Sequence, residues 1–274
     1  MAYFKAHSFG GGVYMLYEPL GVGSHLIIGN KKALLIDTGF GFGDIAAAVR
    51  EITEKPVIVA NSHIHPDHSM GNNQFERVFV GAGDMYKLEG GILEDEYKKM
   101  LGFSTKYLPP LGLLIKHYKK IQKSALYKTE YSALTTGDKI ELGGRTVEIL
   151  EMPGHTKGSV VFLDRTAKTV FAGDAVNRGM FLYLDSSVKL ARYADRLDKL
   201  AGLAGFDILR TSHSKQGAPF AFVGYYADFL RRVDLSKCKS SPMPLSDGKV
   251  LRYSEKSRDY GTVSVFFNRG QEGK

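Results

Sequence analysis

Apolar residues in the first part of the chain fall in short runs separated by glycine-rich turns. GGVYMLYEP and SHLIIGNKKALLIDTG read as three strands, and Gly29-Asn30 followed by Lys31-Lys32 between two apolar runs marks a hairpin. From 44 to 53 the period changes. Ile45, Ala48, Val49 and Ile52 recur at helical spacing, with Asp44 placed to cap the helix and Pro56 to stop it. VIVA at 57–60 is apolar throughout, as suits a strand covered on both faces. ERVFVG is a further strand. Residues 84 to about 130 lose this pattern and take on helical character, through LPPLGLLIKHYKKIQKS. Strands resume at KIELGGRTVEILEMPG, GSVVFLD and KTVFAGD. A helix over about 187–201, the strand DILRTSH, the helix FAFVGYYADFLRRVDL and two closing strands, LRYSE and TVSVFFN, follow. Hairpins early and strand–helix units later indicate a layered α/β protein. No repeat or low-complexity tract divides the chain. The expectation is one domain, 1–274, with a helical, lid-like insertion at about 84–130.

Composition changes this picture little. The 31 glycines agree with many tight turns, and the single cysteine, Cys238, precludes an intrachain disulfide, so no oxidising compartment is required. MAYFKAHSFGGG lacks a basic segment followed by a signal-length apolar run, and no stretch approaches the ~18 apolar residues of a membrane span. The expected location is the cytoplasm. The formal charge of +8 is modest and spread along the chain. A solvated basic surface accounts for it, while attraction of anionic substrates or nucleic acid stays open.

Chemistry is concentrated in NSHIHPDHSMGN, residues 61 to 72, where His63, His65, Asp67 and His68 stand close together in a chain of eight histidines. Imidazole and carboxylate are usual zinc ligands. His63 and His65, two apart, project side by side from an extended segment, and Pro66 biases His65 towards that geometry. Asp67 and His68 lie past the bend and point to a neighbouring position, so one loop can serve two adjacent metals. The plain alternative is a loop of satisfied surface histidines. Against it stand three more ligand types, each ending an expected strand: His155 in MPGHTKGS, Asp174 in VFAGDAV and His213 in RTSHS. Strand ends on one sheet edge are where ligand sites of layered α/β proteins form. Ser62 and Ser69 read as loop and cap residues, His7 and His117 as surface or packing residues, and Cys238 as an inert thiol.

The order His63, His65, Asp67, His68, His155, Asp174, His213, together with LLIDTG at 34–39, resembles the metallo-β-lactamase superfamily over roughly residues 10 to 215. The resemblance implies a four-layer αββα sandwich with metals at one edge between the sheets. It also implies two Zn2+ per chain, with manganese or iron as substitutes. His63, His65 and His155 then correspond to the ligands of one metal, Asp67, His68 and His213 to those of the other, and Asp174 bridges both. Asp37 corresponds to a structural residue beneath the site. Lactamases of the commonest zinc subclass carry cysteine where this chain has Asp174, a second subclass lacks the bridging aspartate, and flavodiiron proteins replace the second histidine, here His65, with glutamate. The full set is similar to glyoxalase II, lactonases, arylsulfatase-like and phosphodiesterase-like members.

The function implied is a metal-dependent hydrolase of small esters, thioesters or lactones. Two metals sharing a water lower its pKa to about 7, which makes a bridging hydroxide the nucleophile, with Asp67 as proton acceptor. The alternatives are a phosphodiesterase or nuclease and a mononuclear iron dioxygenase of the persulfide type. The nuclease reading gains from the basic charge and loses from the absence of a recognisable RNA-clamping segment. The partner is a small molecule, an anionic one if the lysines take part. Substrate contacts are expected from Asn177, Arg178 and Tyr183 in NRGMFLYL, and from His25 at the start of HLII. In the insertion, Leu108, Leu111, Leu113, Leu114 and Ile115 offer an apolar wall, and Lys116, Lys119, Lys120 and Lys123 offer positive charge. An amphipathic helix with a solvated lysine face fits that segment equally. Oligomeric state is not written in these patterns.

Overall fold

Alternation along the apolar runs decides how the chain stacks. In the computed structural model, which describes residues 3–107, 113, 129–184, 188–246 and 249–272, two sheets lie face to face. The first joins β1 (Lys5–Gly10), β2 (Val13–Tyr17), β3 (Gly23–Ile28), β4 (Ala33–Ile36), β5 (Val57–Ala60), β6 (Arg77–Gly81) and β7 (Glu130–Leu134) in chain order. It is antiparallel up to β4 and parallel beyond. The second has the order β14-β13-β11-β10-β9-β8, built from β8 (Lys139–Glu141), β9 (Thr146–Glu151), β10 (Val160–Asp164), β11 (Thr169–Gly173), β13 (Ile208–Thr211) and β14 (Ala218–Pro219).

Strand side chains point to opposite faces at every second residue. Leu34 and Ile36 of β4 therefore enter the core between the sheets with Val160, Phe162 and Phe171. Ala33 and Leu35 face outwards, under Ile45 and Val49 of helix α1 (Ile45–Arg50). On the far side, Val161, Leu163, Val170 and Ala172 face α4 (Leu190–Ala201) and α5 (Phe222–Arg231). Helix, sheet, sheet, helix: the fold is a four-layer αββα sandwich. The buried stripe of α4, Leu190, Tyr193, Ala194, Leu197 and Leu200, has the spacing of one helix face.

Several elements depart from the sequence expectation. Asp44 caps α1 as foreseen, its Oδ1 accepting from Ala47 N at 2.7 Å, but the helix ends at Arg50 rather than 53. The β-branched pair Ile52-Thr53 turns back on Val49 O instead, in keeping with poor helix propensity there. A third sheet, ordered β12-β17-β16-β15, was foreseen only in part. Its strands are β12 (Gly179–Phe181), β15 (Lys239–Pro242), β16 (Lys249–Ser257) and β17 (Gly261–Phe267). β12 pairs with β17 across more than eighty residues, so no local pattern announces it. Within the segment expected to be an insertion, α3 (Ile92–Tyr107) follows the short helix α2 (Pro66–Ser69) and packs Tyr97, Met100 and Leu101 against Leu20, Val22, Phe40 and Phe42. Of the expected insertion wall, Leu113 is described and 68% exposed, while Leu108, Leu111, Leu114, Ile115, Lys116, Lys119, Lys120 and Lys123 lie outside the described residues, as does His117. No helix among the described residues is long and apolar enough to cross a membrane.

Candidate metal centre

The chain leaves β5, β11 and β13 at one end of the sandwich, and there it drops its histidines. His65 is extended (φ −99°, ψ 153°) and Pro66 opens α2 behind it, so His63 and His65 leave the strand end before the chain bends. Asp67 and His68 follow within α2. Asp174 comes directly after β11, His213 shortly after β13, and His155 from the loop between β9 and β10.

All seven side chains meet. Donor atoms of His63, His65 and His155 lie within 4.8 Å of one another, as do those of His63, His68 and Asp174, and those of Asp67, His68 and His213. Asp174 Oδ2 is 3.1 Å from His213 Nε2 and 3.7 Å from both His68 Nε2 and His155 Nε2, which is a central place. Asp67 Oδ2 stands 3.5 Å from His68 Nε2 and 3.6 Å from His213 Nε2.

The protons on the rings follow from their outer partners. Asp37 Oδ2 accepts from His68 Nδ1 at 2.9 Å. Ser62 Oγ donates its one proton to the same Asp37 oxygen at 2.8 Å, so it accepts from His63 Nδ1 at 3.1 Å. The Phe181 carbonyl accepts from His155 Nδ1 at 2.8 Å. Each of these rings thereby spends Nδ1 on its outer partner and turns Nε2 to the centre, the arrangement that metal-binding histidines take. The Nε2 atoms of His63, His65 and His68 are buried and make no hydrogen bond. His65 Nδ1 and His155 Nε2 face each other at 3.0 Å. Buried, bare ring nitrogens converging on two carboxylates fit a divalent cation of the zinc type by donor chemistry.

Charge agrees with geometry. Burial holds His63, His65 and His155 below the ordinary histidine range, keeping them neutral and able to donate lone pairs. Burial works against the charged forms of Asp67 and Asp174, yet His68 and His213 overcome it and hold both carboxyls ionised. Burial also opposes a proton on His68, but Asp67 and Asp37 raise it well above the ordinary histidine range, so its second proton is one that a cation would displace. Burial likewise opposes protonation of His213, but Asp174 pushes it up to about 9.

Two carboxylates tie the loops beneath. Asp37, in the left-handed region at φ 66°, takes Ser62 N at 2.7 Å on Oδ1, and Ser62 Oγ, His68 Nδ1 and Ser212 Oγ on Oδ2. Asp84 binds Ile64 N at 3.0 Å and Thr156 Oγ1 at 2.7 Å on one oxygen and Gly158 N at 2.8 Å on the other, fastening the His63–His65 segment to the His155 loop. Glycine is required in that junction: a Cβ on Gly81 would sit 1.9 Å from Gly158 O, and one on Gly158 would sit 2.6 Å from Asp84 Cβ. Asp37 was expected beneath the site. Ser62, Ser212 and Asp84 were not. The two serines did leave a signal, since each directly precedes a site histidine (NSHIH and TSHS). Ser69 is not the cap expected of it: it closes α2 and donates back to the carbonyl four residues earlier, His65 O, at 2.8 Å, and no side chain caps that helix.

Above the centre opens a cleft of about 490 Å3. Asn177, Arg178 and Tyr183 line it. Asn177 Oδ1 accepts from Gly179 N at 2.7 Å and its amide approaches Asp174 Oδ1 at 3.5 Å, so it serves the turn and the carboxylate. Tyr183 donates to Pro244 O at 2.7 Å and turns its ring to the cleft. Phe181, Leu184, Leu245 and Phe266 make most of the remaining wall apolar, with Thr262 and Ser264 beside them, and Met100 of α3 reaches it. His25 does not line this cleft. It is buried between the sheets, edge-on to Phe171 at 5.1 Å, and burial pushes it down to about 3.

Residues 17–213 match the family described as the metallo-beta-lactamase superfamily. Among curated proteins, the acyl-coenzyme A thioesterase MBLAC2 of Gallus gallus is 27% identical over 66% of this chain and 69% of its own, and that of Homo sapiens 24% over 74% and 77%. A hydroxyacylglutathione hydrolase of Hyphomonas neptunium is 24% identical over 60% of this chain and 46% of its own. Among solved structures, an archaeal superfamily protein from Sulfolobus tokodaii aligns with TM-score 0.57 at 15% identity, covering 90% of this chain and 91% of that one. A subclass B3 metallo-beta-lactamase from a soil metagenome aligns at 0.54 and 21%, covering 81% and 82%. With its site residues, its layer order and its sequence in agreement, the chain belongs to the metallo-beta-lactamase superfamily.

Proposed function

We propose that the chain is a metal-dependent hydrolase of small thioesters, working from a two-metal centre. The observation that carries this reading is the set of bare, buried imidazole nitrogens around Asp174 at the floor of a cleft whose wall is apolar. His63, His65 and His155 would hold one cation, Asp67, His68 and His213 the other, and Asp174 both. The cations supply Lewis acidity and an acidified water. Everything else falls to the chain. Asp37, Ser62 and the Phe181 carbonyl hold the ring protons on Nδ1, so that the Nε2 lone pairs stay available. The Asp67 carboxylate, ionised and at the cleft floor, accepts the proton released as water attacks the acyl carbon. Phe181, Leu184, Leu245 and Phe266 take the acyl chain and exclude water from it. The names of the relatives, an acyl-coenzyme A thioesterase and a hydroxyacylglutathione hydrolase, support the thioester among the ester-like substrates.

The test is a substrate panel on protein purified without added metal: acyl-coenzyme A and acylglutathione thioesters, a lactone and a phosphodiester, with thiol release, acid release and oxygen uptake followed in parallel. Thioester cleavage abolished by chelation and restored by zinc or manganese is expected. Phosphodiester cleavage alone, or oxygen uptake with one bound iron, overturns the reading.

A further inference from the structure

Far from the metal centre, a cationic side chain is buried with nothing to neutralise it. Arg210 lies on β13 with its side chain turned into the gap between the two large sheets, and it is only 9% exposed. Its Nε is buried and makes no hydrogen bond, and no carboxylate among the described residues pairs with its guanidinium. Burial lowers it to about 10, which leaves it charged at neutral pH. The adjacent buried His25 supplies no counter-charge, since it is neutral. An unpaired buried cation is costly, and such groups are ordinarily matched by an anion.

A cavity of about 220 Å3 opens beside this guanidinium, lined by Phe9, Val13, Ala167, Thr169 and Ile208 besides Arg210 itself. None of these residues lines the cleft over the metal centre. Thr169 and Ile208 begin β11 and β13, whereas Asp174 and His213 lie past the ends of the same strands. At strand rise, five residues on either strand put Thr169 and Ile208 roughly 16 Å from the metal end. Phe9 stacks its ring over the guanidinium at 3.3 Å, a contact that uses one face of the planar group. Nε is sealed off, but the N–H groups of the two terminal nitrogens stay available, and end-on they match the two oxygens of a carboxylate. Thr169 spends its hydroxyl proton on Ala167 O at 2.9 Å and adds no competing donor.

We propose that this cavity is a second, non-catalytic ligand site that binds a small aliphatic monocarboxylate, its oxygens on the Arg210 fork and its hydrocarbon body against Val13, Ala167 and Ile208. The apolar walls select against inorganic phosphate, which would match the charge and lose hydration without gaining contacts. The site does not depend on the thioesterase reading.

Butyrate is the probe, titrated calorimetrically into the metal-loaded protein at fixed ionic strength, with butanamide and inorganic phosphate as controls. Two variants report on the cavity. Arg210→Met removes the charge and keeps much of the volume. Ala167→Leu, at a half-buried turn position, fills the cavity and keeps the arginine, so it decides the matter if the first variant does not fold. Neither touches the metal centre. Butyrate is expected to bind with a Kd on the order of 1 mM, weakening at least about tenfold in each folded variant, with no binding of butanamide. Equal butyrate binding in wild type and both variants would place the anion at the metal centre instead and overturn the site. No butyrate binding, or binding of phosphate alone, overturns it as well.

Discussion

On the floor of the cleft nearly every side chain is polar, buried and bonded to a named partner: His68 to Asp37, His63 to Ser62, His155 to the Phe181 carbonyl. On the wall, Phe181 and Phe266 meet edge to face at 5.0 Å, Leu245 flanks them, and the one phenol, Tyr183, is tied to the Pro244 carbonyl. The floor depends on directional bonds that fail if one atom is wrong. The wall depends on area and shape, which tolerate exchange. The two regions are joined at β12, whose Phe181 offers its ring to the wall and its carbonyl to His155.

Breaking the floor should produce the largest effect. Asp174→Asn removes the central carboxylate charge, and thioester turnover is expected to fall by about 10³-fold or more, with KM for the acyl portion little changed. Equal loss in kcat from a wall variant would erase the distinction. One step outwards, Asp37→Asn sets an amide donor against Ser62 Oγ, Ser212 Oγ and His68 Nδ1, all of which donate to the carboxylate now. Metal affinity should drop about 10–100-fold and unfolding free energy by about 1–3 kcal/mol, read by metal titration and by denaturant melts.

The floor was legible because its chemistry is local. His63, His65, Asp67 and His68 are close in sequence, and His155, Asp174 and His213 each stand where an apolar run ends. The strands β4, β10 and β11 could also be located from the apolar runs in LLIDTG, GSVVFLD and KTVFAGD, although an unbroken apolar run does not say which face is inner. The wall was not legible in the same way. NRGMFLYL pointed to Tyr183, but Phe266 becomes a cleft residue only through the pairing of β12 with β17, and Leu245 only through the turn that Tyr183 holds. Asp84 was hidden for another reason: its partners are backbone groups of Ile64 and Gly158 and the hydroxyl of Thr156, none of which marks an aspartate in sequence. His25 looked available at the head of an apolar strand, but register with Met15 and Ile36 sets it between the sheets.

A wall variant sharpens the contrast. Phe266→Ala should lower kcat/KM for a long-chain acyl thioester by about 5- to 30-fold through about 1–2 kcal/mol of lost apolar contact, and leave an acetyl thioester within about twofold. Parallel assays across chain lengths check it; a uniform loss would assign Phe266 to the floor.

The smallest effect concerns stability alone. Glu18 is buried beside the floor, accepting from Tyr3 Oη at 2.8 Å and Phe40 N at 3.1 Å, and burial pushes it up to about 8. A folded pKa above the unfolded value of 4.5 means that the acid form is favoured in the folded protein. Its contribution is complete below that unfolded value and is lost as pH rises through about 8. Glu18→Gln, which mimics the acid form, should flatten the decline of Tm over that range, and an unchanged slope would remove Glu18 as its source.

If seven side chains form one two-metal floor, the metal content of the protein shows it. Protein purified without added metal, and the same protein carrying His68→Ala, would be compared by elemental analysis. About two zinc or manganese ions per chain are expected, falling towards one in the variant. A single iron per chain, unchanged by the substitution, would contradict the two-metal floor.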